Sequence, residues 1–369
     1  MSVLVFILAL LSLQEEASRS PLVLTGFGPA AQQELQKVVD VQFRFVPPED
    51  LLGFLALRTE SDPVAALGYP LPLLIEAGKK ELLEPFAEGP GPLAHEAFWA
   101  ANRNYVGCWF SPVVVVRGLT EFERTSLEGV VPIWLPDRFE ELGRAQCQEM
   151  LLLPTPRPWN ALGVLLTALS RQASSEAESD RLLSGLDANR DGPYLPSTKV
   201  MLHRLEGTTR KLGVATLRDV RGFLETREAT IMPHDPGGRP ACLASGMAIL
   251  RGARGRANGL STSLSDPTLV ARLGSLENLV PTSEEIGRHD LETWMLPYRV
   301  WFVGNAEQLA RDQELADSVV SRFRSEIVGS LKRKEAVFSE YFDAIGIALM
   351  AIFIIWVIRH REDPAKPEN

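Results

Sequence analysis

The feature that most constrains the fold is a strand-helix-strand pattern near the start of the chain. Residues 21–28 form a short apolar run that leads into a glycine-containing turn, and residues 30–39 carry apolar side chains at helical spacing. Residues 41–46 then alternate apolar and polar side chains, as a half-buried strand does. Because such units are the building blocks of open parallel sheets, the sequence predicts an α/β fold.

The rest of the chain continues with short apolar strands and amphipathic helices. Further strands are predicted at 63–68, 106–116, 212–215, 228–232 and 241–250. Further helices are predicted at 49–57, 71–77, 93–101, 161–170, 176–186, 197–205 and 269–273. The polar stretch 308–338 also has helical spacing, which is typical of a stalk or a packing helix.

Apolar runs lie at both ends of the chain. Residues 3–13 have the length of a signal-peptide core, although no Lys or Arg precedes them and a clean cleavage site is missing. A buried first helix or strand is the alternative. Residues 344–358, extended to 342 if Asp343 lies at the interface, predict a short transmembrane helix with aromatic residues at both ends. A buried C-terminal helix is the alternative there.

Together the two runs predict a location. If residues 1–20 are a leader that directs export, the main domain lies on the periplasmic or extracellular side of the cell inner membrane. The chain then crosses that membrane once through 342–358, and residues 359–369 form a cytoplasmic tail.

Charge and cysteine content exclude several classes of function. A net charge of -9 argues against a nucleic-acid partner, because phosphate binding needs clustered Lys and Arg. The three cysteines, Cys108, Cys147 and Cys242, are too few and scattered for a disulfide framework. One bridge with an odd thiol stays open, and no spacing of Cys and His favours zinc.

No motif predicts catalysis or a cofactor. Residues 187–192 fit the first half of a calcium loop, but the twelfth position is Thr198 where the loop needs a bidentate Glu. We therefore interpret the segment as an Asx-rich turn between two helices. No GxSxG elbow is present, the glycine fingerprint after the first strand is incomplete, and none of the five histidines pairs with another ligand at metal spacing.

The order of segments resembles the extracellular solute-binding proteins of ABC importers, in particular the ferric-iron, thiamine and phosphonate group with the class II periplasmic-binding fold. The likeness is carried by residues 22–26, 62–85, 104–107 with 113–117, 192–215 and 241–253. The chain departs from the iron-binding members, which use adjacent tyrosines, because the matching place offers only Tyr194 beside Pro193. The resemblance therefore does not carry ferric iron over as cargo.

This resemblance implies two lobes with a hinge. Lobe 1 would comprise 21–117 and 220–290, lobe 2 would comprise 118–219, and 291–341 would be a helical stalk. A small ligand would sit between the lobes, on hydroxyls and backbone N–H groups that suit carboxylate or phosphate. The implied contacts are Thr25, Gly26, Tyr69, Tyr194, Ser197, Thr198 and Thr216.

The leading hypothesis is a membrane-anchored solute-binding protein, without enzyme activity or cofactor, that serves an ABC permease. The alternative is a scaffold or interaction protein that kept the fold and lost the pocket. Ordinary capping and turn roles for the seven residues remain open, since Ser and Thr are favoured at helix starts.

Overall fold

The structure is a computed structural model, and it describes residues 20–58, 63–87, 93–118, 136, 138–206, 208, 211–221, 229–231, 241–253, 257–328 and 350. The predicted leader (apart from Ser20), the predicted transmembrane helix (apart from Met350) and the predicted tail lie outside these residues. In the part of the chain that is described, no helix is long and apolar enough to cross a membrane. The chain divides into two compact units, Met1–Val320 and Ser321–Asn369.

Strands and helices alternate through most of the first unit. The strands are β1 Leu22–Thr25, β2 Gln42–Phe45, β3 Ala65–Pro70, β4 Leu83–Glu84, β5 Tyr105–Gly118, β6 Leu151–Leu152, β7 Leu212–Thr216, β8 Ala229–Ile231, β9 Cys242–Leu250 and β10 Val280–Pro281. The helices are α1 Pro29–Gln36, α2 Pro48–Ala56, α3 Leu71–Lys79, α4 Ala161–Gln172, α5 Glu176–Ala188, α6 Thr198–Glu206, α7 Asn258–Leu264, α8 Pro267–Glu277, α9 Leu296–Val303 and α10 Ala306–Arg322. A π-helical segment, Phe323–Val328, lies in the second unit.

The predicted strand-helix-strand unit is confirmed. β1 pairs in parallel with β2 on one side and with β3 on the other. Pro29 occupies the first turn of α1, where its missing N–H costs no intrahelical hydrogen bond. Ala31 and Leu35 face inward from α1 and are fully buried, so the crossover helix covers one face of the sheet.

One long strand links the two regions of the sheet. The strand order is β2-β1-β3-β9-β5-β7-β6. The first part of β5, through Pro112, pairs antiparallel with β9, whereas Val113–Arg117 pairs antiparallel with β7. The last residues of β5 also pair with β8. β5 therefore passes from one set of strands to another, as a crossover strand does.

The helix predicted at 93–101 is wrong. Only a single 3-10 turn, Glu96–Phe98, forms there, and the His95 ring caps it by accepting the backbone N–H of Ala97 at 3.1 Å. Trp99 then forms an antiparallel bridge with Val106. Pairing with the start of β5 draws the chain into an extended conformation, which overrides the helical spacing of its apolar residues.

The predicted stalk, as far as Val320, contributes to the core of the first unit. Phe302 of α9 is 1% exposed, and its ring stacks on that of Phe110 with centroids 5.1 Å apart. Gln313 of α10 is buried against β9, where its amide accepts from Ala244 N and donates to Cys242 O, both at 3.0 Å. Of the two roles considered for the polar stretch, α10 up to Val320 therefore has the packing role.

All three cysteines are free thiols buried in the protein. Burial raises the pKa of Cys147 to about 11, and burial also raises the pKa values of Cys108 and Cys242. A raised thiol pKa keeps the reactive thiolate scarce at neutral pH, so these side chains are small apolar core residues.

Adjacent residues of α9 allow a direct test of its place in the core. Phe302→Ala should destabilise the protein by about 3–5 kcal/mol, because the aromatic cluster loses its central ring and keeps a cavity. Val303→Ala is the matched control, since Val303 is 70% exposed and its truncation should change stability by less than about 0.5 kcal/mol. Urea denaturation of both variants measures the difference, and equal effects would contradict the placement of α9.

Candidate functional site

Two backbone turns approach each other closely at the ends of β1 and β3. Gly26 donates its N–H to Leu67 O at 2.9 Å, and a Cβ on Gly26 would stand 2.9 Å from Gly68 O. Gly68 lies at a register shift in β3 and has φ of +74°, which disfavours a side chain. Glycine at both positions lets two carbonyl groups, those of Gly26 and Gly68, face the same place.

The guanidinium of Arg218 fills that place. Its Nη1 donates to Gly68 O at 2.8 Å, and its Nη2 donates to Gly26 O. The guanidinium also lies over the ring of Phe27, 5.4 Å from the centroid. Arg218 lies two residues after the end of β7, so a residue next to β7 reaches the turns at the ends of β1 and β3.

Glu277, the last residue of α8, completes the arrangement. Its Oε2 accepts from Arg218 Nε at 3.2 Å and lies 3.1 Å from Nη2. Its Oε1 accepts the backbone N–H of Gly28 at 2.7 Å. The side chains of Arg218 and Glu277 are 18% and 9% exposed, so the pair is largely withdrawn from water. We call Arg218, Glu277 and the three backbone groups they contact the Arg218 network.

Ser111 of β5 ties the backbone of this network together. Its hydroxyl accepts from Arg218 N at 3.0 Å and donates to Asn278 O at 3.4 Å, next to Glu277. Beneath the guanidinium, the Phe27 ring packs edge-on against Trp109 at 5.2 Å. The Trp109 indole N–H donates to Val270 O at 3.0 Å, which anchors α8 to β5. The network is therefore supported by strands and a helix rather than by loops alone.

Four of the seven predicted contact residues lie in or beside the Arg218 network. Gly26 contributes a carbonyl, and Thr25 is buried with its hydroxyl accepting Phe27 N at 2.9 Å. Tyr69 adjoins Gly68 in the chain and donates its hydroxyl to Val46 O at 3.0 Å. Burial raises the pKa of the Tyr69 phenol, so this group stays a neutral donor. Thr216, two residues before Arg218, donates its hydroxyl to Asp219 Oδ2 at 2.8 Å.

The other three lie after α5: Tyr194 and Ser197 on the segment that leads to α6, and Thr198 at the start of α6. The Tyr194 hydroxyl donates to the carboxylate of Asp187, which also accepts from Arg190 Nε at 3.3 Å. Burial is the largest cause that raises the pKa of Tyr194, and the Asp187 carboxylate raises that pKa further. The Ser197 hydroxyl accepts Val200 N at 3.3 Å, and Thr198 is the first residue of α6. These are capping and turn roles, and they support the interpretation of 187–192 as a turn between two helices.

Sequence reasoning missed both charged residues of the network. Arg218 stands two residues beyond a predicted contact, but nothing in a single Arg after a short strand predicts the contacts that it makes. Glu277 meets Arg218 across 59 positions of the chain. Such a pairing follows only once α8 has been placed against β1 and β5. In the described ranges, no group of three or more His, Cys, Asp or Glu side chains is placed to hold a metal ion.

The architecture of this chain is similar to that of solved ferric ion-binding proteins. The apo ferric ion-binding protein A of Pasteurella haemolytica has a TM-score of 0.61 and 14% identity, over 83% of this chain and 98% of that one. Iron-bound HitA from Pseudomonas aeruginosa gives 0.62 and 13% with the same coverage. The Trichodesmium protein in complex with iron and citrate gives 0.60 and 11%, over 83% of this chain and 99% of that one. No protein-family model and no curated protein sequence matches the chain.

Two glycines test the close approach of the turns. Gly68 and Gly192 share φ of +74°, but a Cβ on Gly68 would lie 2.5 Å from the Phe27 ring, whereas one on Gly192 would have no neighbour within 4 Å. Gly192→Ala should therefore cost only the backbone strain, about 1–2 kcal/mol. Gly68→Ala should cost that strain plus about 1–3 kcal/mol for displaced packing. Thermal unfolding of both variants gives the comparison, and an equal loss would show that the turns are not in tight contact.

Proposed function

We propose that this chain is an extracytoplasmic solute-binding protein that captures a small anionic ligand between two lobes for an ABC-type importer. The observation that carries the proposal is the fold, shared over 83% of the chain with solved ferric ion-binding proteins. At 11–14% identity that likeness concerns architecture, so the ligand is argued from the site.

The chemistry of the Arg218 network favours an anion. A guanidinium presents several N–H donors in a planar fork that matches the oxygens of carboxylate or phosphate. In this protein the guanidinium of Arg218 lies between the turns at the ends of β1 and β3, close to Gly26 and to Thr216 at the end of β7. The lobes proposed are 21–117 with 220–290 and 118–219, and β5 is the strand on which hinge motion would turn.

The scaffold alternative is favoured by a different observation. Among the predicted contacts, Thr25, Tyr69, Tyr194, Ser197 and Thr216 all bond within the protein. A binding cleft usually presents some polar groups that are free to meet a ligand. A protein whose polar groups are satisfied internally could keep this fold as a platform for a partner protein.

Ligand-dependent stability separates these two functions. A solute that binds only the folded protein stabilises it by RT ln(1 + [L]/Kd), about 2.7 kcal/mol at a hundredfold excess over Kd. We expect such stabilisation from at least one member of a panel of phosphate, phosphate esters, mono- and dicarboxylates, and ferric ion with citrate, measured by thermal unfolding. Two solved neighbours contain iron, and one contains citrate, so that combination belongs in the panel.

Two arginine variants serve as test and control for that panel. Arg218→Gln should abolish the ligand-dependent stabilisation, because the anion loses its cationic partner. Arg272→Gln should retain it, since Arg272 lies on α8 but pairs with Glu34, 2.9 Å away, and is 61% exposed. If no solute stabilises the unaltered chain, the scaffold function is the better account.

The proposed location rests on the apolar runs at the chain ends. We infer a single-pass anchor at 342–358 with the main domain outside the inner membrane. The full chain should therefore remain in the membrane fraction after alkaline carbonate washing, and deletion of 342–369 should release it. Deletion of 359–369 alone is the control and should leave it membrane-bound. Release of the full chain would contradict the anchor.

A further inference from the structure

We propose that Glu277 is an internal occupant of the anion site, so that the protein in this conformation is autoinhibited. The two carboxylate oxygens of Glu277 occupy the positions that the carboxylate oxygens of a solute would occupy. The solute must therefore displace Glu277 to bind. This inference rests on the proposed function and names its ligand chemistry: a carboxylate that pairs with Arg218.

The two oxygens of Glu277 make separate contacts that any free carboxylate can reproduce. One oxygen accepts the N–H of Gly28 at 2.7 Å, and the other accepts from the Arg218 guanidinium at 3.2 Å. The two donors are a backbone N–H and a guanidinium N–H, which bind a carboxylate whatever the rest of the molecule is. A solute carboxylate placed there would restore both hydrogen bonds and the ion pair.

Arg218 is held in place independently of Glu277. Its guanidinium donates to the carbonyls of Gly26 and Gly68, and its backbone N–H is bonded to the Ser111 hydroxyl. The Phe27 ring supports the guanidinium from one side. The neighbouring carboxylate of Asp219 is engaged by Thr216, through both its backbone N–H and its hydroxyl. Displacing Glu277 would therefore leave the cation positioned for another anion.

Glu277 can leave because it lies at the end of a helix. It is the last residue of α8, and Asn278 follows it in a left-handed conformation with φ of 52°. Its carboxylate is joined to this helix end by a flexible side chain, so rotation of that side chain could expose the guanidinium while α8 stays in position. A buried acid and base that bond each other can separate only when a new partner satisfies each of them or water reaches it.

The test is chemical rescue of the full chain by acetate. Glu277→Ala removes the internal carboxylate and leaves Arg218 and Gly28 N–H without it, so the variant should unfold at a lower temperature. Sodium acetate at 100 mM should raise its unfolding temperature by several degrees more than sodium chloride of equal concentration does. Unaltered protein should show no acetate-specific shift, because Glu277 already fills the site. Absence of rescue would overturn the inference.

Glu34→Ala is the matched control for losing a buried carboxylate. Glu34 lies on α1, is 8% exposed, and pairs with Lys37 at 2.7 Å and with Arg272 of α8 at 2.9 Å. Its partners Lys37 and Arg272 are 64% and 61% exposed, so water replaces the lost carboxylate and acetate should not rescue this variant. Equal rescue of both variants would show a general salt effect and would contradict the inference.

A second variant keeps the test decisive if Glu277→Ala does not fold. Glu277→Gln keeps the size of the side chain and an oxygen for Gly28 N–H. It removes only the negative charge that faces Arg218. Equilibrium dialysis with labelled acetate should give at least tenfold tighter binding to Glu277→Gln than to the unaltered protein. Equal affinities would overturn the inference. Arg218→Gln combined with Glu277→Gln should lose the binding again, and binding that persists would overturn it as well.

The outcomes distinguish this inference from the proposed function. If a solute from the panel binds the unaltered protein and Glu277→Gln equally well, solute capture stands and the internal occupant is wrong. If acetate rescues Glu277→Ala and binds Glu277→Gln more tightly than the unaltered protein, while no solute of the panel stabilises the unaltered protein, the internal occupant stands and solute capture is wrong.

Discussion

The arrangement depends on two carbonyl groups that face one largely buried point. Gly26 and Gly68 can supply them only because neither carries a side chain, and a Cβ at either position would clash with the opposite turn or with Phe27. Carbonyl oxygens withdrawn from water are costly without a donor. Arg218 supplies two donors, and its charge then requires Glu277. The ion pair is thus a consequence of how closely the first and third strands approach.

The same constraint explains why α8 lies where it does. Glu277 must reach both Arg218 and Gly28, which fixes the end of the helix against the start of α1. Trp109 fixes the middle of the helix through Val270 O, and Arg272 pairs with Glu34 of α1 on its exposed side. Three contacts of different chemistry therefore hold α8 in place. The helix in turn supports the Arg218 network on one side.

The parts of the fold that local sequence patterns determine were predictable. The unit from β1 to β2, the long strand at 105–118 and the helices α4 to α6 follow from periodicity of apolar residues over short windows. The helix predicted at 93–101 does not form, because Trp99 pairs with Val106. The Arg218 network could not be predicted for a similar reason, since it also depends on contacts between residues that are far apart in the chain. Gly26, Gly68, Ser111, Arg218 and Glu277 come from five separated segments, and no local pattern records that they meet.

The energetics of the internal ion pair limit what kind of solute could replace Glu277. A buried pair gains attraction but loses the hydration of both ions, and the two nearly cancel. Exchanging one carboxylate for another at Arg218 is therefore close to neutral in contact energy. The tethered carboxylate still has the advantage of a high effective concentration, because it cannot diffuse away from Arg218. A solute that offers only a carboxylate would have to exceed that concentration, so one captured at lower levels must gain affinity from the rest of its structure. Selectivity would then come from side chains around the network, with Arg218 supplying the common anchor.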